Sequence, residues 1–262
     1  MKTRREFILS LGAAATLAAL SPALVHAQTV ADITKRRKLM VAIDTSNPPY
    51  GTLNTSMEPD GYDVQVARAL AKHLKVALQI VPVTSQTRIS SLLANRSDAL
   101  ISTLTITPER ALQVDFSDPY CAAGFTVMAA KDTQIKTSAD LAGKKLAVIR
   151  NGAADPLITA VAPDGLTILR FDDDAGINQA LMTGKVDAIA TGLLVANELN
   201  GLGGGKNYEN KFSLSRAEFG IAVRPGQKEL LSAINDFVKT IKSNGELDAI
   251  SMKYLGVKQS EI

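Results

Sequence analysis

The sequence has no tryptophan, one cysteine and two histidines among 262 residues. Cys121 has no partner, so no intrachain disulfide can form. His26 lies in an N-terminal segment with the marks of an export signal, which leaves His73 for the mature chain. A His/Cys metal site or a Cys–His nucleophile pair therefore has almost no raw material. His73 falls on an expected helix and reads as a surface residue. Net charge is small as well. The formal value is +3, and the leader carries Lys2, Arg4 and Arg5 against Glu6, so +1 remains after its removal. Nothing in that balance indicates nucleic acid. Beyond the leader no stretch is apolar enough to read as a membrane span. Gly201 to Gly205 lacks the spacing and the Lys-Ser/Thr of a phosphate loop, and reads as a loop before no clear helix. Asp172-Asp173-Asp174 lacks calcium-loop spacing and reads as a solvated turn and helix cap. No metal and no cofactor is expected.

Met1 to Ala27 has a basic start, an apolar middle from Phe7 to Leu20, and a Val25-His26-Ala27 cleavage pattern, which together read as a secretory signal. Thr3-Arg4-Arg5-Glu6-Phe7-Ile8 is similar to a twin-arginine export motif, without the basic residue usual after it. No cysteine stands at the cleavage site for a lipid anchor.

The mature chain alternates strand and helix patterns. Strands are expected at Lys38–Ile43, Ala77–Val83 and Asp98–Ile101, with helices from Gly61 to about Leu74 and from Gln86 to Ala94. Asp60 or Asp63 is the expected cap of the first of these helices. A second unit, from about Lys131, has strands at Lys145–Arg150, Leu166–Phe171 and Asp187–Thr191, and helices at Asp155–Ala162 and Ala175–Thr183. This order predicts an α/β sheet, with ligands outside the carboxyl ends of strands, where Asp44, Ser85 and Thr103 fall. Leu92, Asn95, Arg96, Asp98 and Ala99 match Leu181, Gly184, Lys185, Asp187 and Ala188 at a constant offset of 89 positions, which points to two similar lobes. Ala217–Val223 reads as a last strand, and Glu229–Tyr254 as two helices broken at Asn244-Gly245. The expected division is 36–122 with 217–262 in one lobe and 126–213 in the other. Two crossings between them, near Tyr120–Thr126 and Lys211–Ala217, make a hinge.

The stretch from Asp98 to Tyr120 carries the clearest chemistry. A short strand runs into the hydroxyls of Ser102, Thr103 and Thr105. Thr107-Pro108-Glu109 then reads as a helix start, with Thr as cap and Pro at the first helical position. Arg110 follows in the first turn. Hydroxyls, helix-start amides and a planar guanidinium at a strand end suit a carboxylate. The alternative at this point is a surface turn with an exposed arginine.

Several pieces resemble bacterial periplasmic solute-binding proteins that deliver amino acids to ABC importers. They are Pro48-Pro49-Tyr50, Gly61-Tyr62-Asp63-Val64, Thr105-Ile106-Thr107-Pro108-Glu109-Arg110, Asp115-Phe116-Ser117-Asp118-Pro119-Tyr120, Asp140-Leu141-Ala142-Gly143-Lys144 and Phe219-Gly220-Ile221-Ala222. The likeness runs from about Lys38 to Gly256. It implies a two-lobed periplasmic binding protein type II fold, with a ligand cleft between the lobes. It implies that Arg110 grips the ligand's α-carboxylate, supported by the Thr105 hydroxyl and the backbone near Ser102 and Thr103, and that Asp44 and Tyr50 line the pocket. With Gln86, Asn151, Gly152, Ala153 and Thr191, these form the expected ligand-binding set.

Three positions depart from the family pattern. Gly152-Ala153 stands where relatives have Ser or Thr, so only backbone amides remain there. Gly192 stands where many carry an Asp for the ligand's ammonium. Val83 to Arg88 holds no stacking aromatic and is similar to the version in some glutamate/aspartate binders. The expected function is a monomeric periplasmic binder of a polar or acidic amino acid that docks on ABC transporter membrane subunits. A non-amino-acid carboxylate is the alternative ligand. The competing functions are a dehydratase-like enzyme acting on a small cyclic acid, with Asp44 as general acid or base, and a soluble sensor.

Overall fold

The computed structural model describes residues 29–202 and 208–261. The leader with its twin-arginine motif and most of the Gly201–Gly205 loop lie outside these residues.

Helix α1 (Val30–Lys35) is held by a capping box between Thr29 and Asp32. Strand β1 (Lys38–Asp44) alternates little, because it is paired on both sides and covered on both faces. The loop after it holds the short strands β2 (Thr52–Leu53) and β3 (Pro59–Asp60) and a cis Pro48–Pro49 bond. Gly51 is required in that loop, since a Cβ there would lie 2.0 Å from the Asp44 carbonyl oxygen. Helix α2 (Tyr62–His73) buries Tyr62, Val66 and Leu70 on one face. Its N-cap is Gly61 at φ +121°, with no side-chain cap. Asp60 and Asp63 therefore do not cap it. Asp63 points into the protein instead, because backbone and hydroxyl donors await it there.

Strand β4 (Ala77–Val83), helix α3 (Arg88–Leu93) and strand β5 (Ala99–Leu100) complete the first βαβαβ run. Helix α4 (Pro108–Ala111) begins as expected, with Thr107 Oγ1 accepting from the Arg110 amide. The second run contains a 3₁₀ turn at Ser138–Leu141, β7 (Lys145–Ile149), α5 (Ala154–Ala160), β8 (Thr167–Phe171), α6 (Asp174–Met182) and β9 (Ala188–Gly192). Asp173 caps α6 by accepting from the Gly176 amide at 2.7 Å, in line with the turn-and-cap reading. Helix α7 (Leu193–Leu202) follows β9 directly, in a stretch to which the sequence reading assigns no element before the expected loop at Gly201. Its first turn carries no acidic residue to signal a helix start.

The two runs are joined by 16-residue strands, β6 (Asp115–Ala130) and β10 (Tyr208–Val223). They pair antiparallel along most of their length, with bulges such as that between Ser213 and Arg216. The last strand is thus longer than the expected Ala217–Val223, and both crossings are continuous strand. One eight-stranded sheet results, in the order β4-β1-β5-β10-β6-β9-β7-β8. The first lobe's strands sit on one side of the β10–β6 pair and the second lobe's on the other. Helix α8 (Lys228–Ser243) buries Leu230, Ile234, Phe237, Val238 and Ile241, a helical stripe, and packs with α9 (Glu246–Leu255) against α1 and α2.

The sequence echo is a structural one. Asn95 and Gly184 both hold positive φ, 60° and 73°. Asp98 and Asp187 each accept from the first-run and second-run strand amides of Met40 and Lys145, at 2.7 and 2.8 Å.

Candidate functional site

Between the lobes lies a small cavity of about 50 Å³. Beside it an outer groove of about 680 Å³ runs between α3 and α4 of the first lobe and α5 of the second. Ser85 lines both spaces.

The expected residues divide between these two. Tyr50, Thr103, Gly152, Ala153 and Thr191 line the cavity. Gln86, Arg110 and Asn151 line the groove. Asp44, Ser102 and Thr105 line neither and are buried behind them. Asp44 accepts from the Ser46 amide and hydroxyl at 3.0 and 2.7 Å, and from Ser85 Oγ at 3.4 Å. Ser102 Oγ accepts from the Asp44 amide at 3.2 Å, so it fixes the end of β1. Thr105 bridges to Phe219, and its Oγ1 is buried with no hydrogen-bond partner.

Aromatic rings form one wall. Tyr50 packs edge-on to Tyr62 and Phe219, and Phe219 edge-on to Phe125. Burial pushes the Tyr50 hydroxyl well above its ordinary pKa, and Cys121, Asp63 and Asp174 add to that rise. Thr103 takes the left-handed conformation at φ 43°. Its amide donates to Asp63 Oδ2 at 3.0 Å, and Tyr120 donates its hydroxyl to Asp63 Oδ1 at 2.7 Å. Burial raises Asp63 to about 7, against the lowering effect of those two donors.

The cleft is spanned by guanidiniums. Arg110 donates to the Thr105 carbonyl at 3.1 Å, to the Asn151 carbonyl at 3.0 Å and to the Gly152 carbonyl at 3.5 Å. Arg88 donates to the Ser102 carbonyl, and across the cleft to the same Asn151 oxygen at 2.8 Å. Gln86 reaches Asp172 of the second lobe. Arg88 is 1% exposed and its Nε is buried without an acceptor. Burial and then the neighbouring Arg110 push it down to about 9. Arg110 is lowered chiefly by burial, with Asp155 working the other way. One buried and one half-buried cation held together in the cleft set up an anion site.

The sequence reading did not include Arg88 in the ligand-binding set, because an arginine on a short helix carries no local sign of burial. The turn at the end of β7 uses two of its amides itself. The Asn151 amide donates to Asp155 Oδ2 at 3.1 Å and the Gly152 amide to the Ile149 carbonyl at 2.9 Å. These amides are committed to their own turn. The second lobe meets Arg88 and Arg110 through carbonyl acceptors and Gln86 through the Asp172 carboxylate. Among the described residues no His/Cys/Asp/Glu group could hold a metal, and no helix is long and apolar enough to cross a membrane.

Two α/β lobes on a shared pair of strands, with a cavity closed between them, define a hinged binding protein. The chain belongs to the bacterial extracellular solute-binding proteins, family 3, which it matches over residues 39–257. It is 31% identical to the L-cystine-binding protein TcyJ of Escherichia coli K12, over 94% of this chain and 96% of that one. It is 33% identical to the ABC transporter glutamine-binding protein GlnH of Bacillus subtilis, over 87% and 84%. Among solved structures, the ancestral amino acid-binding protein AncCDT-1, a precursor of cyclohexadienyl dehydratase, superposes with a TM-score of 0.78 at 32% identity, covering 87% of this chain and 99% of that one.

Proposed function

We propose that this protein captures a small polar or acidic amino acid in the periplasm and hands it, as a monomer, to the membrane subunits of an ABC importer. The relatives named above are binding proteins for amino acids, which supports that class of ligand. The observation that carries the reading is the pair Arg88 and Arg110, which converge on one second-lobe carbonyl while Arg88 Nε lacks an acceptor. A carboxylate entering the cleft meets two guanidiniums and an unfilled donor, and two positive charges favour an acidic side chain over a neutral one. The small aromatic-walled cavity disfavours bulky side chains. The working lobes are 36–122 with 217–262, and 126–213, closing about the β6–β10 pair.

Binding, rather than turnover, fits the titratable groups. Asp44, the candidate general acid or base, is tied to Ser46 and Ser85 and does not line the cavity. The raised Tyr50 hydroxyl is a poor proton carrier near neutral pH.

A thermal-shift screen of amino acids and small organic acids tests the proposal, since a ligand that binds only the native state raises the melting temperature. Aspartate, glutamate, glutamine and asparagine are the expected hits. A response confined to bulky aromatic amino acids, or turnover of a prephenate-like acid, overturns it.

A further inference from the structure

Arg88 and Arg110 converge on one acceptor, the Asn151 carbonyl, so closure depends on how the second lobe holds that group. Asn151 is exposed and takes the left-handed conformation at φ 55°, which a residue other than glycine keeps only where its surroundings fix it. The peptide planes on both sides of it are pinned. Ahead of it, the Asn151 amide donates to Asp155 Oδ2 at 3.1 Å. Behind it, the Gly152 amide donates to the Ile149 carbonyl at 2.9 Å. In a trans peptide the N–H and C=O point opposite ways, so the second bond turns the Asn151 carbonyl away from its own strand and toward the first lobe. Asp155, the second residue of α5, is buried and lines the groove. Its carboxylate is itself held. Arg170 Nε, from β8, donates to its two oxygens at 3.1 and 3.0 Å, and Arg170 Nη2 lies 2.9 Å from Oδ1. Thr159, one helical turn on, donates to Oδ1 at 3.3 Å and accepts from Arg170 Nη2 at 3.3 Å.

We infer that Asp155, clamped by Arg170, is the positioning residue of the second lobe: it sets the Asn151 carbonyl as the acceptor that both first-lobe guanidiniums reach on closure. The inference rests on the reading of Arg88 and Arg110 as the ligand's binding groups. A two-point guanidinium grip fixes the plane of a carboxylate, so the amide acceptor at Asn151 stays in place as the lobes move. Without that acceptor the left-handed residue is free to relax to negative φ, and the carbonyl turns with it. Asp155 thus acts on the arginines through the carbonyl that they share. The contact exists only when the lobes meet, so it favours the closed state and slows the escape of whatever is bound inside.

The test compares the full mature chain with Asp155→Ala, Asp155→Asn and Arg170→Gln, using L-glutamate, L-aspartate, L-glutamine and L-asparagine. Affinity is read by calorimetric titration, and release by chasing bound radiolabelled amino acid with unlabelled. Asp155→Ala is expected to release its amino acid about tenfold faster or more, with an association rate within about threefold of wild type, because the contact forms after encounter. Asp155→Asn still offers the amide an acceptor and is expected to recover most of that loss. Arg170→Gln changes an exposed residue and is expected to speed release by a smaller factor; it carries the test if Asp155→Ala folds poorly. Asp155→Ala combined with Arg110→Ala is expected to lose less affinity than the product of the two single losses, by about threefold or more, because both act at one carbonyl. Losses that multiply, or an Asp155→Asn as damaged as Asp155→Ala, assign Asp155 to the stability of its lobe and overturn the inference. Wild-type release from folded Asp155→Ala or Arg170→Gln overturns it as well. In each of these cases binding by wild type leaves the proposed function standing. Failure of wild type to bind any of the four amino acids overturns the proposed function and the inference with it.

Discussion

Arg88 and Arg110 look alike in chemistry and differ in setting. Both line the groove and bond both lobes, but Arg88 is wholly buried whereas Arg110 is half-buried. Truncating one partner of a buried charged pair costs about 2–5 kcal/mol. Arg88→Ala and Arg110→Ala are therefore expected to weaken ligand binding by about 30-fold to several thousand-fold in calorimetric titration. Arg110→Lys should also bind poorly, because an ammonium cannot reproduce the planar fork. Wild-type affinity with a lowered melting temperature of the empty protein would assign the arginines to structure alone. Asp63 makes a different prediction. Its native pKa of about 7 lies above the ordinary 3.8. Between those values the native state keeps a proton that the unfolded chain has released. The contribution to stability is full below about pH 4 and is lost as pH rises through 7, about 4 kcal/mol at most. Asp63→Asn cannot titrate, so wild type should lose stability relative to this variant from pH 5 to pH 8. Parallel denaturation curves across that range would exclude the effect.

At the level of elements, the repeated strand–turn unit gives a matched pair of tests. Asp98 is 2% exposed, bonds the Met40 amide and pairs with Arg36. Asp187 bonds the Lys145 amide from an exposed position. Asp98→Ala should cost about 1–3 kcal/mol or more, because a buried donor loses its partner, whereas Asp187→Ala should cost under about 1 kcal/mol. Equal losses in urea titrations would mean that the two carboxylates serve their lobes alike. The helix starts were legible to different degrees. Thr107-Pro108 announced α4 through local chemistry, whereas α2 begins at an uncapped glycine that the packing of Tyr50 and Gly51 demands.

The whole molecule closes through Arg88, Arg110 and Gln86, all reaching from the first lobe to the second. Ligand should compact the protein in small-angle scattering, and Arg88→Ala and Arg110→Ala should need far more ligand to compact. Gln86→Ala, which removes only an exposed contact with Asp172, should change affinity by less than about fivefold. A Gln86 variant as damaged as the arginine variants would shift the weight of closure to the rim.

The alternation of strands and helices, the offset of 89 positions and the hydroxyl–arginine stretch after Asp98 were all readable in the chain, because each depends on neighbours a few residues apart. Those local patterns determined the element order and placed Thr103 after a strand and Arg110 in the first turn of α4. Only the folded chain decided what they meet. Asp63 and Thr103 are 40 positions apart and Arg88 and Asn151 are 63 apart, so no local pattern shows that one acid is buried or that two guanidiniums share a carbonyl. Nor does the chain alone distinguish Asp174 from Asp172 and Asp173. Three adjacent acids read alike until α6 begins between the second and third, turning one to cap the helix and setting the next against the cavity.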